Sequence, residues 1–138
     1  MRIEGVDHLV LTVRDVEATC AFYARVLGME VVTFGGGRRA LAAGGQKINL
    51  HQAGEEFSPH AALPTPGAGD LCLLSAEPLE AVIAHVQSCG VEILAGPIDR
   101  VGARGALRSI YLRDPDGNLI EVANERTQNK DKPSSSRG

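Results

Sequence analysis

Four residues of this 138-residue chain carry side chains that suit a divalent cation: His8, His51, Asp70 and Glu121. Each lies in a stretch whose residues alternate in character, the mark of a half-buried strand. In VDHLVLTV, Leu9, Leu11 and Val13 form an apolar face while His8, Val10 and Thr12 form the other. In KINLHQ, Ile48 and Leu50 share one face, and Lys47, Asn49 and His51 the opposite one. Asp70 opens the short run DLCLL, and Glu121 stands opposite Ile120 and Val122 in NLIEVA. Two imidazoles and two carboxylates are a donor set for Zn, Ni, Co, Mn or Fe(II). The bland alternative is four unrelated polar groups on wet strand faces. A carboxylate that is buried there must be paired, hydrogen-bonded or bound to metal.

These residues need elements to bring them together. Val6 to Val13 reads as a strand, followed by a helix that Asp15 caps and Gly28 ends. Val16, Cys20, Tyr23 and Leu27 recur at helical spacing and are expected to face a sheet. Three strands follow: Met29–Phe34, Arg38–Ala43 and Lys47–Gln52, joined at Gly35-Gly36-Gly37 and Gly44-Gly45. No Lys-Ser/Thr or helix follows the glycine triplet, so it is not a phosphate loop. A loop with Pro59, Pro64 and Pro66 covers Gly54 to Gly69. The order then repeats: strand Asp70–Leu74, a helix opened by Pro78 and ended by Gly90, strand Val91–Leu94, a glycine-rich loop Gly96–Gly105, and strands Leu107–Arg113 and Asn118–Ala123. The last two join at Asp-Pro-Asp-Gly-Asn, a turn built from residues that preset φ, bond their own backbone or accept positive φ. The tail from Glu125 to Gly138 is polar and is expected to be disordered.

The two halves match. Module one spans about 5–53 and module two about 70–124, within a single domain of residues 1–124. Each reads strand, helix, three strands, and the last strand of each places His51 and Glu121 at corresponding points. An internal repeat of this kind predicts an α+β fold: two βαβββ modules forming a curved mixed sheet around a concave metal cavity, with helices on the outer face.

Composition excludes several classes. A net charge of −3 without a basic cluster and 4% aromatics argue against nucleic acid. No apolar run has membrane-spanning length, and the N-terminus lacks a secretory pattern. Three cysteines without C-x-x-C spacing fit a reducing cytoplasm. Cys72 has no neighbouring base in sequence, which argues against a nucleophile. His60, in the loop, is placed to reach over the cavity opening.

VDHLVLTV, FYARVLGMEV and IYLRDPDGNLIEV together resemble the vicinal oxygen chelate superfamily, which includes glyoxalase I, extradiol dioxygenases, and fosfomycin and bleomycin resistance proteins. The resemblance covers about Gly5 to Asn124, and the chain looks most like small glyoxalase-domain-containing proteins. It implies the paired fold, a divalent metal held by His8, His51, Asp70 and Glu121, and a homodimer. It departs from glyoxalase I at two places: His51 stands where those enzymes have a glutamate, and Asp70 where they have a histidine. The activity it implies is that of a metal-dependent lyase or isomerase on a small oxygen-chelating substrate such as a thiol hemithioacetal. A thiol such as glutathione would be the co-substrate. Glu121 would be the catalytic base. Asn49, Tyr111, Arg113 and Arg38 are the candidate substrate contacts. Other metalloenzymes of the scaffold (a thiol transferase, a dioxygenase) and a metal-free drug-binding protein are the alternatives.

Overall fold

The computed structural model describes residues 1–126. Its elements are β1 (His8–Val13), α1 (Val16–Leu27), β2 (Val31–Phe34), β3 (Arg38–Ala43), β4 (Gln46–Gln52), β5 (Asp70–Leu74), α2 (Leu79–Ser88), β6 (Ala95–Gly102), β7 (Gly105–Arg113) and β8 (Leu119–Glu125). They form two four-stranded sheets, ordered β1-β4-β3-β2 and β5-β8-β7-β6. The expected α+β architecture of paired βαβββ modules is therefore present.

The chain divides into two compact units. Unit 1 contains Met1–Asp70 and also Arg113–Leu119; among the described residues unit 2 contains Leu71–Leu112 and 120–126. The DPDGN turn, which lies in module two by sequence, groups with unit 1.

In unit 1, β1 runs parallel to β4, whereas β3 is antiparallel to β4 and to β2. Leu11, Val13, Leu41, Ile48 and Leu50 are buried, as are Thr19, Cys20, Tyr23 and Val26 of α1. The buried stripe of α1 is therefore shifted from the expected one, with Thr19 and Val26 inside and Val16 and Leu27 only half-buried. Thr19 is tolerated there because its hydroxyl donates to the Asp15 carbonyl at 3.0 Å. Asp15 caps the helix by accepting from the Ala18 amide, and Gly28 closes it at φ 65°.

The turn locks into unit 1 through Asp114. One carboxylate oxygen accepts from the amides of Asp116 and Asn118, both at 2.9 Å. The other accepts from the Tyr23 hydroxyl at 2.6 Å and the Asn118 amide group at 2.8 Å. Four donors satisfy one buried anion. Gly67 and Gly69 carry the preceding loop against this turn. A Cβ at Gly67 would stand 2.6 Å from the Asp116 carbonyl oxygen, and one at Gly69 would stand 2.8 Å from the Asn118 side chain.

In unit 2, Val91–Leu94 is not a strand, and the expected glycine-rich loop is instead β6 and its hairpin to β7. β6 (AGPIDRVG) lies at the sheet edge, where a proline costs no ladder bond and apolar alternation is not required. The tail also begins later than expected. Glu125 ends β8 and pairs with Arg104, and the Arg126 amide donates to the Ala106 carbonyl at 2.9 Å. The remainder of the expected disordered tail lies outside the described residues.

Candidate functional site

The face of the unit 1 sheet opposite its apolar core carries His8, Val10 and Thr12 from β1, level with Lys47, Asn49 and His51 of β4. Phe34 and Arg38 pair across β2 and β3. The Lys47 ammonium sits 3.6 Å from the Phe34 ring centroid. The Arg38 guanidinium lies 5.3 Å from the same ring and 4.3 Å from that of Phe57, a loop residue. Phe57 in turn meets His51 edge to face at 5.4 Å. The result is a row in which cations and rings alternate, each cation held by ring faces. Burial pushes the His51 imidazole below its ordinary value; Arg38 adds to this and Glu56 opposes it.

The register corrects the proposed ligand set. His8 is level with Lys47 and His51 is level with Thr12, four residues farther along. At about 3.3 Å per residue their Cα positions are about 13 Å apart along the strands. Metal–nitrogen bonds of about 2 Å cannot bridge that gap from side chains standing perpendicular to the sheet. His51 and His8 do not share an ion.

A second comparison agrees. The Gln52 side chain accepts from the Val16 amide at 3.1 Å and so caps α1 from the end of β4. In unit 2, Asn124 accepts from the Leu79 amide at 2.8 Å and caps α2 from the end of β8. Gln52 and Asn124 are thus equivalent, and the counterpart of Glu121 is Asn49 rather than His51. Asn49 is 6% exposed, and its Oδ1 has no hydrogen-bond partner among the described residues. It lies two residues past the level of His8.

His8 is exposed, and its Nδ1 bonds the Asp7 carboxylate at 2.8 Å, so that Nε2 is the ring nitrogen outside that bond. In unit 2, one oxygen of Glu121 accepts from the buried Ser109 hydroxyl at 2.6 Å. Ser109 thereby fixes the carboxylate. The Cys72 thiol also donates to Glu121. Desolvation, and then the Glu121 charge, push that thiol up to about 11. Cys72 is thus a protonated, unreactive thiol at neutral pH, in line with the sequence. Asp70 is exposed at the start of β5. Among the described residues no three His, Cys, Asp or Glu side chains are gathered into a cluster; the orphaned oxygen of Asn49 belongs to a residue type outside that set.

Two expected substrate contacts have other work. Arg113 is exposed and donates to the Gly117 carbonyl at 3.3 Å, bracing the turn. The Tyr111 hydroxyl accepts from Arg100 at 2.8 Å on the β6–β7 hairpin.

Unit 1 also holds a cavity of about 580 Å³, which sequence reasoning did not find because a proline-rich loop has no periodic pattern. Val10, Thr12 and His51 of the open face line it from one side, and Pro59, His60 and Leu63 of the loop from the other.

Residues 5–122 match the model of the Glyoxalase/Bleomycin resistance protein/Dioxygenase superfamily. The chain is 51% identical over 123 residues to virulence protein STM3117 of Salmonella typhimurium, covering 89% of this chain and 85% of that one. It is 49% identical over 123 residues to the glyoxalase domain-containing protein RDO1 of Mycosarcoma maydis, covering 89% of this chain and 69% of the relative. An integron cassette protein from the mobile metagenome of V. cholerae superposes with a TM-score of 0.87 at 53% identity, covering 90% of this chain and 97% of that one. On the strength of the matched span, the repeated fold and these relatives, the chain belongs to the Glyoxalase/Bleomycin resistance protein/Dioxygenase superfamily.

Proposed function

We propose that the protein is a divalent-metal-dependent lyase or isomerase of the glyoxalase kind, acting on a small substrate with neighbouring oxygens. The residues of unit 1 that would hold an ion are His8, Asn49 and Asp70, and Glu121 is the corresponding carboxylate of unit 2; nitrogen and oxygen donors of this kind suit Mn, Fe(II), Co, Ni or Zn. The observation that carries the reading is the preparation of these donors. Asp7 orients the His8 ring, Ser109 anchors one Glu121 oxygen, and the Asn49 oxygen is buried without a partner. A bound ion would polarise the substrate oxygens and stabilise charge developing on them.

The chain's own groups supply the rest. Glu121, held by Ser109, would take and return a proton at the substrate carbon. Arg38 and Lys47 form no hydrogen bond or ion pair with a carboxylate among the described residues, and both flank Phe34. Two such cations favour an anionic substrate, which fits a thiol co-substrate bearing carboxylates, such as glutathione. A homodimer in the cytoplasm is part of the same proposal, on the family resemblance and the lack of C-x-x-C spacing among the cysteines.

The test is metal content after purification and after loading with Mn, Co, Ni or Zn, in wild type and in His8→Ala and Glu121→Ala. One ion per chain, lost in both variants, supports the reading and justifies assay of hemithioacetal isomerisation. A wild type that takes up none of these metals overturns it. Arg38→Ala with Lys47→Ala is expected to raise KM for an anionic thiol adduct about tenfold or more, leaving kcat nearly unchanged, since such contacts are made equally in ground and transition states.

A further inference from the structure

Three features of the unit 1 cavity remain unused by the proposed reaction. The first is a free hydrogen-bonding group. His51 is only 4% exposed, and neither ring nitrogen bonds another described residue; its Nδ1 is sealed off entirely. His60 donates from Nδ1 to the Ala61 carbonyl at 2.8 Å in the tautomer that leaves Nε2 as an acceptor. Thr12 adds a hydroxyl without a side-chain partner among the described residues. Other polar groups of the wall have partners: Thr65 donates to the Leu63 carbonyl at 2.9 Å, and the Asn118 amide donates to Asp114 and accepts from Gly69.

The second feature is apolar surface left uncovered. Val10 keeps 43% and Leu63 85% of their surface exposed, and both line the cavity. Covering such surface is favourable at roughly 25 cal/mol per Å². The third feature is the absence of formal charge. No Asp, Glu, Lys or Arg lines the cavity. A charged ligand would lose hydration there with nothing to replace it. The volume of about 580 Å³ lies in the range of small-molecule sites.

We propose that this cavity, between the far ends of β1 and β4 and the loop 53–69, is a binding site for an uncharged, largely apolar molecule of ring-like bulk carrying one hydroxyl or carbonyl. The apolar body covers Val10 and Leu63. The oxygen bonds His51, with Thr12 and His60 as further partners. The site stands on His51 and the loop, so it does not depend on the metal reading.

The experiment is fluorescence titration of the full chain with prodan, a neutral naphthyl ketone, alongside naphthoate, an anion of similar size. Saturable one-to-one binding of prodan is expected, tighter than that of naphthoate. His51→Phe keeps the ring and removes both nitrogens, and should weaken prodan by about tenfold, the worth of one hydrogen bond near 1.4 kcal/mol. Ala61→Trp fills the cavity from the exposed loop and should abolish binding; if His51→Phe does not fold, Ala61→Trp and Thr12→Val carry the test. No saturable binding, binding indifferent to the variants, or tighter binding of naphthoate would each overturn the proposal. Metal uptake by His51→Phe should equal that of wild type, so failure here and failure of the metal reading are told apart.

Discussion

Single side chains set several of the measurable properties. The Tyr23 hydroxyl is buried and donates to Asp114 at 2.6 Å, which pushes its ionisation far above the usual range through burial and that bond. Tyr23→Phe would leave the anion short of one donor, and hydrogen bonds to charged groups contribute about 1.5–3 kcal/mol. Urea unfolding should show a loss of that size with an unchanged m-value. His51 gives a pH signature. Its folded value is depressed, so the unfolded chain binds more protons between that value and the ordinary 6.5. Stability should therefore fall as pH drops through this window, and His51→Phe should flatten that part of the curve. Cys72, raised to about 11, should alkylate slowly at pH near 8 despite its exposure. Removing the adjacent charge in Glu121→Gln should speed the labelling, measured by mass spectrometry. Which of these residues were legible beforehand follows from period. Alternation identified the open face of β4 correctly, but a slip of two residues keeps a side chain on the same face. His51 was accordingly matched to Glu121, while the true counterpart, Asn49, was read only as a substrate contact.

At the scale of elements, punctuation was more informative than pattern. Asp15 and Gly28 fixed both ends of α1, and Gly44-Gly45 fixed the turn between β3 and β4. β6 was missed because an edge strand with Gly96 and Pro97 neither alternates nor excludes turn residues. The long-range caps could not be read at all, since Gln52 and Asn124 act on helices far away in sequence. They are not equal in weight. α1 has Asp15 as well as Gln52, whereas the N-cap residue of α2, Pro78, makes no side-chain bond, leaving Asn124 to bond the Leu79 amide. Asn124 also donates to the Ser75 and Glu77 carbonyls, at 3.2 and 2.9 Å. Asn124→Ala should thus cost more than Gln52→Ala, about 1–2 kcal/mol against under ~1. Thermal unfolding of the two variants side by side reads the difference.

For the whole molecule, the repeat was legible as a βαβββ rhythm, and with it the family. The assignment of Arg113–Leu119 to unit 1 was not, because the turn chemistry of DPDGN explains itself locally and gives no hint of Tyr23 or Gly69. That assignment has a bearing on biosynthesis. The ribosome delivers the first 70 residues long before Asp114 and Asn118 emerge. Until then Tyr23 lacks its acceptor, the Gly69 amide its partner at 2.7 Å, and the Arg14 amide its bond to Asp116. The N-terminal half of the chain is therefore expected to complete its packing only once that turn has been made.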